Sequence, residues 1–115
     1  VDIDELFTLA EAGTPIPISS MCTVFAESEV ISQIGAGKSK EDIAAGIVES
    51  VVSRVALLAS RHDSSAKCIL TGGLSINPYF AVRLAKKLGQ EVFIHELGIY
   101  AGALGAALLA ADKFK

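Results

Sequence analysis

Two short apolar runs joined by one amphipathic stretch constrain this chain more than anything else in it. "KCILTGG" (67–73) and "EVFIHE" (91–96) are too short for helices and apolar through their middles. That is the pattern of strands buried in a parallel sheet. Between them, Asn77 and Pro78 form a strong helix start, with asparagine as the cap and proline in the first helical position. "YFAVRLAKKL" carries that helix on to Gly89. Strand, helix and strand make a βαβ unit, which requires a parallel sheet with helices covering it.

Helices dominate the rest. In "VDIDELFTLAEAG", Asp2 or Asp4 can cap a helix that carries Ile3, Leu6, Phe7 and Ala10 on one side and closes at Gly13. "TPIPIS" follows; Pro15 and Pro17 remove two backbone donors, so this piece is an edge strand or an extended connector. From Thr23 to about Ile34, the apolar positions Ala26, Val30 and Ile34 predict a second helix, ended by "GAGKS". Ser39 caps a third, with Glu41 and Asp42 in its first turn and an apolar stripe of Ile43, Ile47, Val51, Val55 and Leu58. A last helix from about Gly98 to Ala111 shows small residues at Gly98, Gly102 and Ala106 and reads as buried. Two good strands and one proline-broken one are a thin sheet for five helices, so the sheet is expected to continue in strands outside this chain.

With 115 residues, the chain fits one domain. Its mean hydropathy is high, +0.51, but its longest nearly unbroken apolar run, Ile99 to Ala111, is short of the roughly 20 residues a membrane span needs. A net charge of −3 with no basic stretch gives no support to a nucleic-acid surface. Cys22 and Cys68, far apart and without CxxC spacing, fit a reducing compartment, and the cytoplasm is the expectation. The chain opens at Val1 directly into amphipathic sequence, which suggests a processed product or an excised piece.

Few positions invite chemistry. In "LTGGLSIN" a strand ends in two glycines before a capped helix, where a ligand can approach the backbone closely. A tight turn needing positive φ explains the same spacing, and the phrase is neither GxGxxG nor a P-loop. Cys22 stands where an extended stretch turns into a helix, a place that lowers a thiol's pKa. Alone it cannot hold a metal or cluster that needs four ligands; a small apolar residue packed under the helix is the other reading, and the sequence leaves both open. Cys68 lies inside the first apolar strand and reads as core. His62 reads as a surface or capping residue, and His95 and Glu96, at a strand end, as solvated loop residues. Glu27 and Glu29 are read as complementing a helix dipole.

"SSMCTVFAESEVISQIGAGKSKEDIAAGIVESVVSRV", "ILTGGLSINPYFAVRLAKKLGQEV" and "YAGALGAALLA" together resemble the C-terminal part of the ATP-dependent activators of 2-hydroxyacyl-CoA dehydratases, a family that includes ATPase subunits of benzoyl-CoA reductases. The resemblance implies a ribonuclease-H-like half of the actin-like ATPase fold shared with sugar kinases and heat-shock chaperones. It implies ATP or ADP with Mg, and a homodimer with a single 4Fe–4S cluster bridged between subunits that each supply two cysteines. ATP hydrolysis would drive one electron to a 2-hydroxyacyl-CoA dehydratase or a benzoyl-CoA reductase-type component. Cys22 matches the family's cluster cysteine in its "CTVFAESE"-like phrase, and Gly72 and Gly73 match the adenosine-side loop. The family's other cluster cysteine, in a "CAAGTG"-like phrase, and its phosphate-binding hairpin have no match here. Residues 1–115 are therefore expected to form one domain, the C-terminal fragment of a two-half ATPase, with no catalytic residue of their own and negligible ATP turnover alone. Within the same fold, a sugar- or acyl-kinase type or a tRNA carbamoyl-transfer type would not need Cys22; outside it stands a non-catalytic interaction domain.

Overall fold

The computed structural model describes residues 1–19, 23–63 and 65–114. Internal contacts group the chain into two units, Val1–Ala59 and Ser60–Lys115.

The first unit is helical. Asp2 caps α1 (Ile3–Ala12) by accepting the Glu5 N–H at 2.8 Å, and Asp4 and Glu5 place negative charge at the positive end of the helix. Phe7 and Ala10 are the buried residues of α1, which packs on α3 (Lys40–Ala59). α1 stops at Gly13 beside α3: a Cβ there would overlap the backbone carbonyl of Glu41. Thr14 continues the attachment, its N–H donating to the Asp42 carboxylate at 2.8 Å. From Thr14 to Ser19 the chain runs extended with no ladder pairing, as the two prolines predict. α2 (Thr23–Gly35) leads into Gly37, whose φ of 78° is left-handed. The Ser39 hydroxyl then accepts the Asp42 N–H at 3.1 Å and caps α3.

The face that α3 buries differs from the expected stripe by about one residue. Ile43 is buried, but Ile47 and Val55 are half-buried, and Val51 and Leu58 are exposed. The core comes instead from Ala44, Ala45, Gly46, Val48, Val52 and Ala56. Close approach decides this: the backbones of the 13–16 segment and of α3 come so near at Gly13 and Gly46 that a Cβ at either would meet the other's main chain. Within that face Val52 is completely buried, worth roughly 1.5–3 kcal/mol.

In the second unit, β1 (Cys68–Ile69) and β2 (Val92–Phe93) pair in parallel, Cys68 opposite Val92 and Ile69 opposite Phe93. The Leu70 N–H extends the ladder to the Phe93 carbonyl at 2.8 Å. α4 (Pro78–Leu88) crosses between the strands and buries Phe80, Ala81 and Leu84, packing against β2 and the 3-10 turn Gly73–Ile76. Its ends are those the sequence predicts. The Asn77 side chain accepts the Phe80 N–H at 3.2 Å, Pro78 opens the helix, and Gly89 closes it in the left-handed region at φ 67°. Replacing Asn77 with alanine is expected to cost about 1 kcal/mol. A lowered urea midpoint with an unchanged m-value would show it.

Two expectations about burial are corrected here. The strands are short and poorly covered: Ile69 is 62% exposed and Phe93 41%. The last helix, α5 (Ala101–Lys113), begins after a 3-10 turn at Gly98–Tyr100 and has no buried residue. Leu108 and Leu109 lie open on it. Within this unit α4 is the helix that packs on the sheet. No helix of the described residues is long and apolar enough to cross a membrane.

Candidate functional site

The geometry singles out the loop at the C-terminal end of β1. Gly72 sits at φ 86°, ψ −171°, a backbone region open essentially to glycine alone. Three hydrogen bonds hold it there. Its N–H donates to the Gly98 carbonyl at 3.0 Å, and its carbonyl accepts both the Ser75 N–H at 3.0 Å and the Ser75 hydroxyl at 2.7 Å. Ser75 is 3% exposed, the buried polar side chain among the described residues of the unit. Gly98, in the turn after β2, leaves only a tight fit for a Cβ: one built there would stand 3.0 Å from Ser75 Oγ, so the hydroxyl would have to give. The two strand-end loops are thus locked together through Gly72, Ser75 and Gly98.

Gly73 is different. Its φ is not in the positive range, and beyond its immediate chain neighbours nothing lies within 4 Å of where a Cβ would be. The tight-turn explanation accounts for Gly72 but leaves Gly73 without an internal reason to be glycine. What the chain offers at 73 is bare, accessible backbone at the carboxyl end of a parallel strand, where open α/β sheets bind ligands.

The other candidates fall elsewhere. Cys22 lies outside the described residues. Nearby, the Ser19 N–H and hydroxyl both point to Glu29 Oε1, at 3.1 and 3.4 Å. Glu27 and Glu29 lie beyond the first turn of α2, which holds no acidic residue, so the dipole reading of them is corrected; Glu29 instead ties α2 to the extended segment. Cys68 is half-buried in β1 rather than fully in the core. His62 and His95 are exposed. His95 is occupied locally, its Nδ1 accepting the Leu97 N–H at 3.0 Å and its carbonyl the Gly98 N–H at 2.8 Å. Among the described residues no group of three or more His, Cys, Asp or Glu is placed to hold a metal ion. A separate groove of about 480 Å³ runs between Pro15–Ser19 and α3, lined chiefly by apolar surface.

Sequence reading reached Gly72 and Gly73 but missed Ser75 and the function of Gly98, which it assigned to a helix face. A glycine standing a few residues after the second strand, outside the helix that follows, was the available signal.

Likeness to solved structures identifies this helix-rich chain with its small parallel sheet as belonging to the actin-like ATPase fold. The activator of the 2-hydroxyisocaproyl-CoA dehydratase from Clostridium difficile, with bound ADPNP, superposes with a TM-score of 0.86 at 38% identity, over 98% of this chain and 42% of that one. Component A of the (R)-2-hydroxyglutaryl-CoA dehydratase of Acidaminococcus fermentans gives 0.87 at 46% identity, over 98% and 44%. In sequence, the (R)-2-hydroxyglutaryl-CoA dehydratase activating ATPase of the latter organism is 46% identical over 114 residues, 98% of this chain and 44% of that protein. One of the subunits of benzoyl-CoA reductase from Thauera aromatica is 34% identical over 117 residues, 96% and 42%. The BadF/BadG/BcrA/BcrD ATPase family model matches residues 1–110, and the chain belongs to that family. It spans less than half the length of the relatives it matches.

Proposed function

We propose that this chain is the C-terminal part of a cytoplasmic ATPase that activates a 2-hydroxyacyl-CoA dehydratase, or a related CoA-ester reductase, by ATP-driven electron transfer from a 4Fe–4S cluster. The observation that carries the reading is the 46% identity to the Acidaminococcus fermentans activating ATPase along nearly the whole chain. Gly72 and Gly73 would form the adenosine side of a site for ATP or ADP with Mg. The bare backbone at Gly73 fits a nucleotide that must come close.

The cluster fits this chain only as a share. Four thiolates are needed, Cys68 is half-buried in a strand, and Cys22 is the single cysteine left to offer. In this reading the remaining ligands come from sequence beyond this chain and from a second subunit across a homodimer axis. When bound, the cluster supplies a one-electron carrier, and Cys22 is one of the groups that hold it.

The deciding experiment uses the full-length protein purified without oxygen. Cys22→Ser should lose most of its iron and sulfide and its ability to activate a dehydratase, while still binding ADP. Iron content and activation at the wild-type level would overturn the reading and favour a kinase-type or carbamoyl-transfer ATPase of the same fold.

A further inference from the structure

The loop that carries Gly72 and Gly73 is not fixed by its backbone alone. Gly72 occupies a conformation that glycine adopts freely but as one of several open to it, so its contacts select it. Those contacts come from two places. One is Ser75, whose buried hydroxyl and N–H both donate to the Gly72 carbonyl. The other is the turn after β2, where the Gly98 carbonyl takes the Gly72 N–H. Gly98 reaches that position because it lacks a side chain: a Cβ would stand 3.0 Å from Ser75 Oγ, and its other neighbours, the Leu70 carbonyl and Ser75 Cβ, are both at 3.6 Å, ordinary contact. The Gly98 N–H is in turn fixed to the His95 carbonyl at 2.8 Å, so the clip is anchored on β2.

From this geometry we infer that Ser75 and Gly98 are positioning residues for nucleotide binding: they act through Gly72 to set the backbone course that presents Gly73. The inference rests on the nucleotide reading of Gly72 and Gly73 above. It assigns the Ser75 hydroxyl a task distinct from filling space. Serine is required at 75 for its donor, and glycine is required at 98 so that the donor is not pushed aside.

The contacts predict a specific pattern of coupling. Removing the hydroxyl frees the crowded spot beside Gly98, since only Ser75 Oγ lies closer than ordinary contact there. A Cβ at 98 is therefore harmful only while the hydroxyl is present.

The test is ADP binding by calorimetry to the full-length protein and to three variants, each checked for a cooperative thermal transition well above the titration temperature. Ser75→Ala should weaken ADP roughly three- to tenfold, the worth of one hydrogen bond. Gly98→Ala should weaken it at least as much. The double variant should bind no more weakly than Ser75→Ala alone. A purely structural role would lower the thermal midpoints and leave these dissociation constants in place, and that result overturns the inference. So does an additive double variant. If Gly98→Ala does not fold, Ser75→Ala decides: unchanged ADP affinity refutes the role, and weakened affinity with a native-like transition supports it. Failure of the wild type to bind ADP would instead refute the nucleotide reading, and the clip's role with it.

Discussion

Replacing Gly46 with alanine should destabilise the protein by about 2 kcal/mol, and with valine by about 3 kcal/mol, read as a falling thermal or urea midpoint. The sign is the informative part. Gly46 sits inside α3, where alanine is ordinarily favoured over glycine by about 1 kcal/mol. Against that gain stands the carbonyl oxygen of Ile16, which a Cβ would meet at 2.5 Å, with Ile16 Cγ1 and Ile18 Cδ1 at 3.1 and 3.2 Å. An isoleucine tip can rotate away; a main-chain carbonyl cannot without moving the extended segment. That segment is itself held, since Thr14 is bonded to Asp42 and Ser19 to Glu29. Displacing it therefore strains contacts at both ends, and the clash outweighs the propensity. Valine adds two more carbons to the same site. A stabilised alanine variant would mean that the 14–19 segment does not lie on this face of α3.

The same residue shows why the sequence was legible in some places and not in others. Helix ends are written locally. Asp2, Ser39, Asn77 with Pro78, and Gly89 each act within a turn of their own position, and all four stand where their chemistry predicts. The βαβ unit was also visible, because its signal is two short apolar runs around one capped helix. Which face of α3 is buried is a different kind of fact. Large aliphatics suggested the Ile47 and Val51 side; the neighbouring backbone instead chose the side with Ala44, Ala45 and Gly46, where it could come closest. Nothing in the periodicity distinguishes an apolar stripe that packs from one that remains open. The exposure of α5, Ile69 and Phe93 follows from how few residues of their own unit pack against them, which composition does not reveal.

The candidate site divides along the same line. The glycine pair was apparent as a motif, but its two members were indistinguishable until their dihedral angles and neighbours were known. Ser75 was invisible because a serine in a turn is common, and its burial against Gly72 and Gly98 joins residues that lie on different loops.

That division between Gly72 and Gly73 gives the second large effect, in which neighbouring glycines fail in opposite ways. Gly72→Ala should cost about 1–3 kcal/mol of stability, because φ 86° with ψ −171° is a region a Cβ disfavours even where space is open, as it is here. Its effect on ADP follows from the distorted loop and should accompany the loss of stability. Gly73→Val should leave the unfolding free energy within about 0.5 kcal/mol of wild type, since its φ is not positive and no other part of the chain beyond its immediate neighbours stands within 4 Å of the added Cβ. In the full-length protein the same change should weaken ADP on the order of 10- to 100-fold, or about 1.4–2.8 kcal/mol, because the valine occupies the space through which the nucleotide meets the backbone. Unfolding curves and ADP titrations on the two variants separate the cases. A Gly73→Val protein that binds ADP normally would reduce the pair to a turn with one necessary glycine, and the nucleotide would have to be held by other residues. A Gly73→Val protein that is markedly unstable would mean that the open space beside Gly73 is filled by protein, leaving no room there for a ligand.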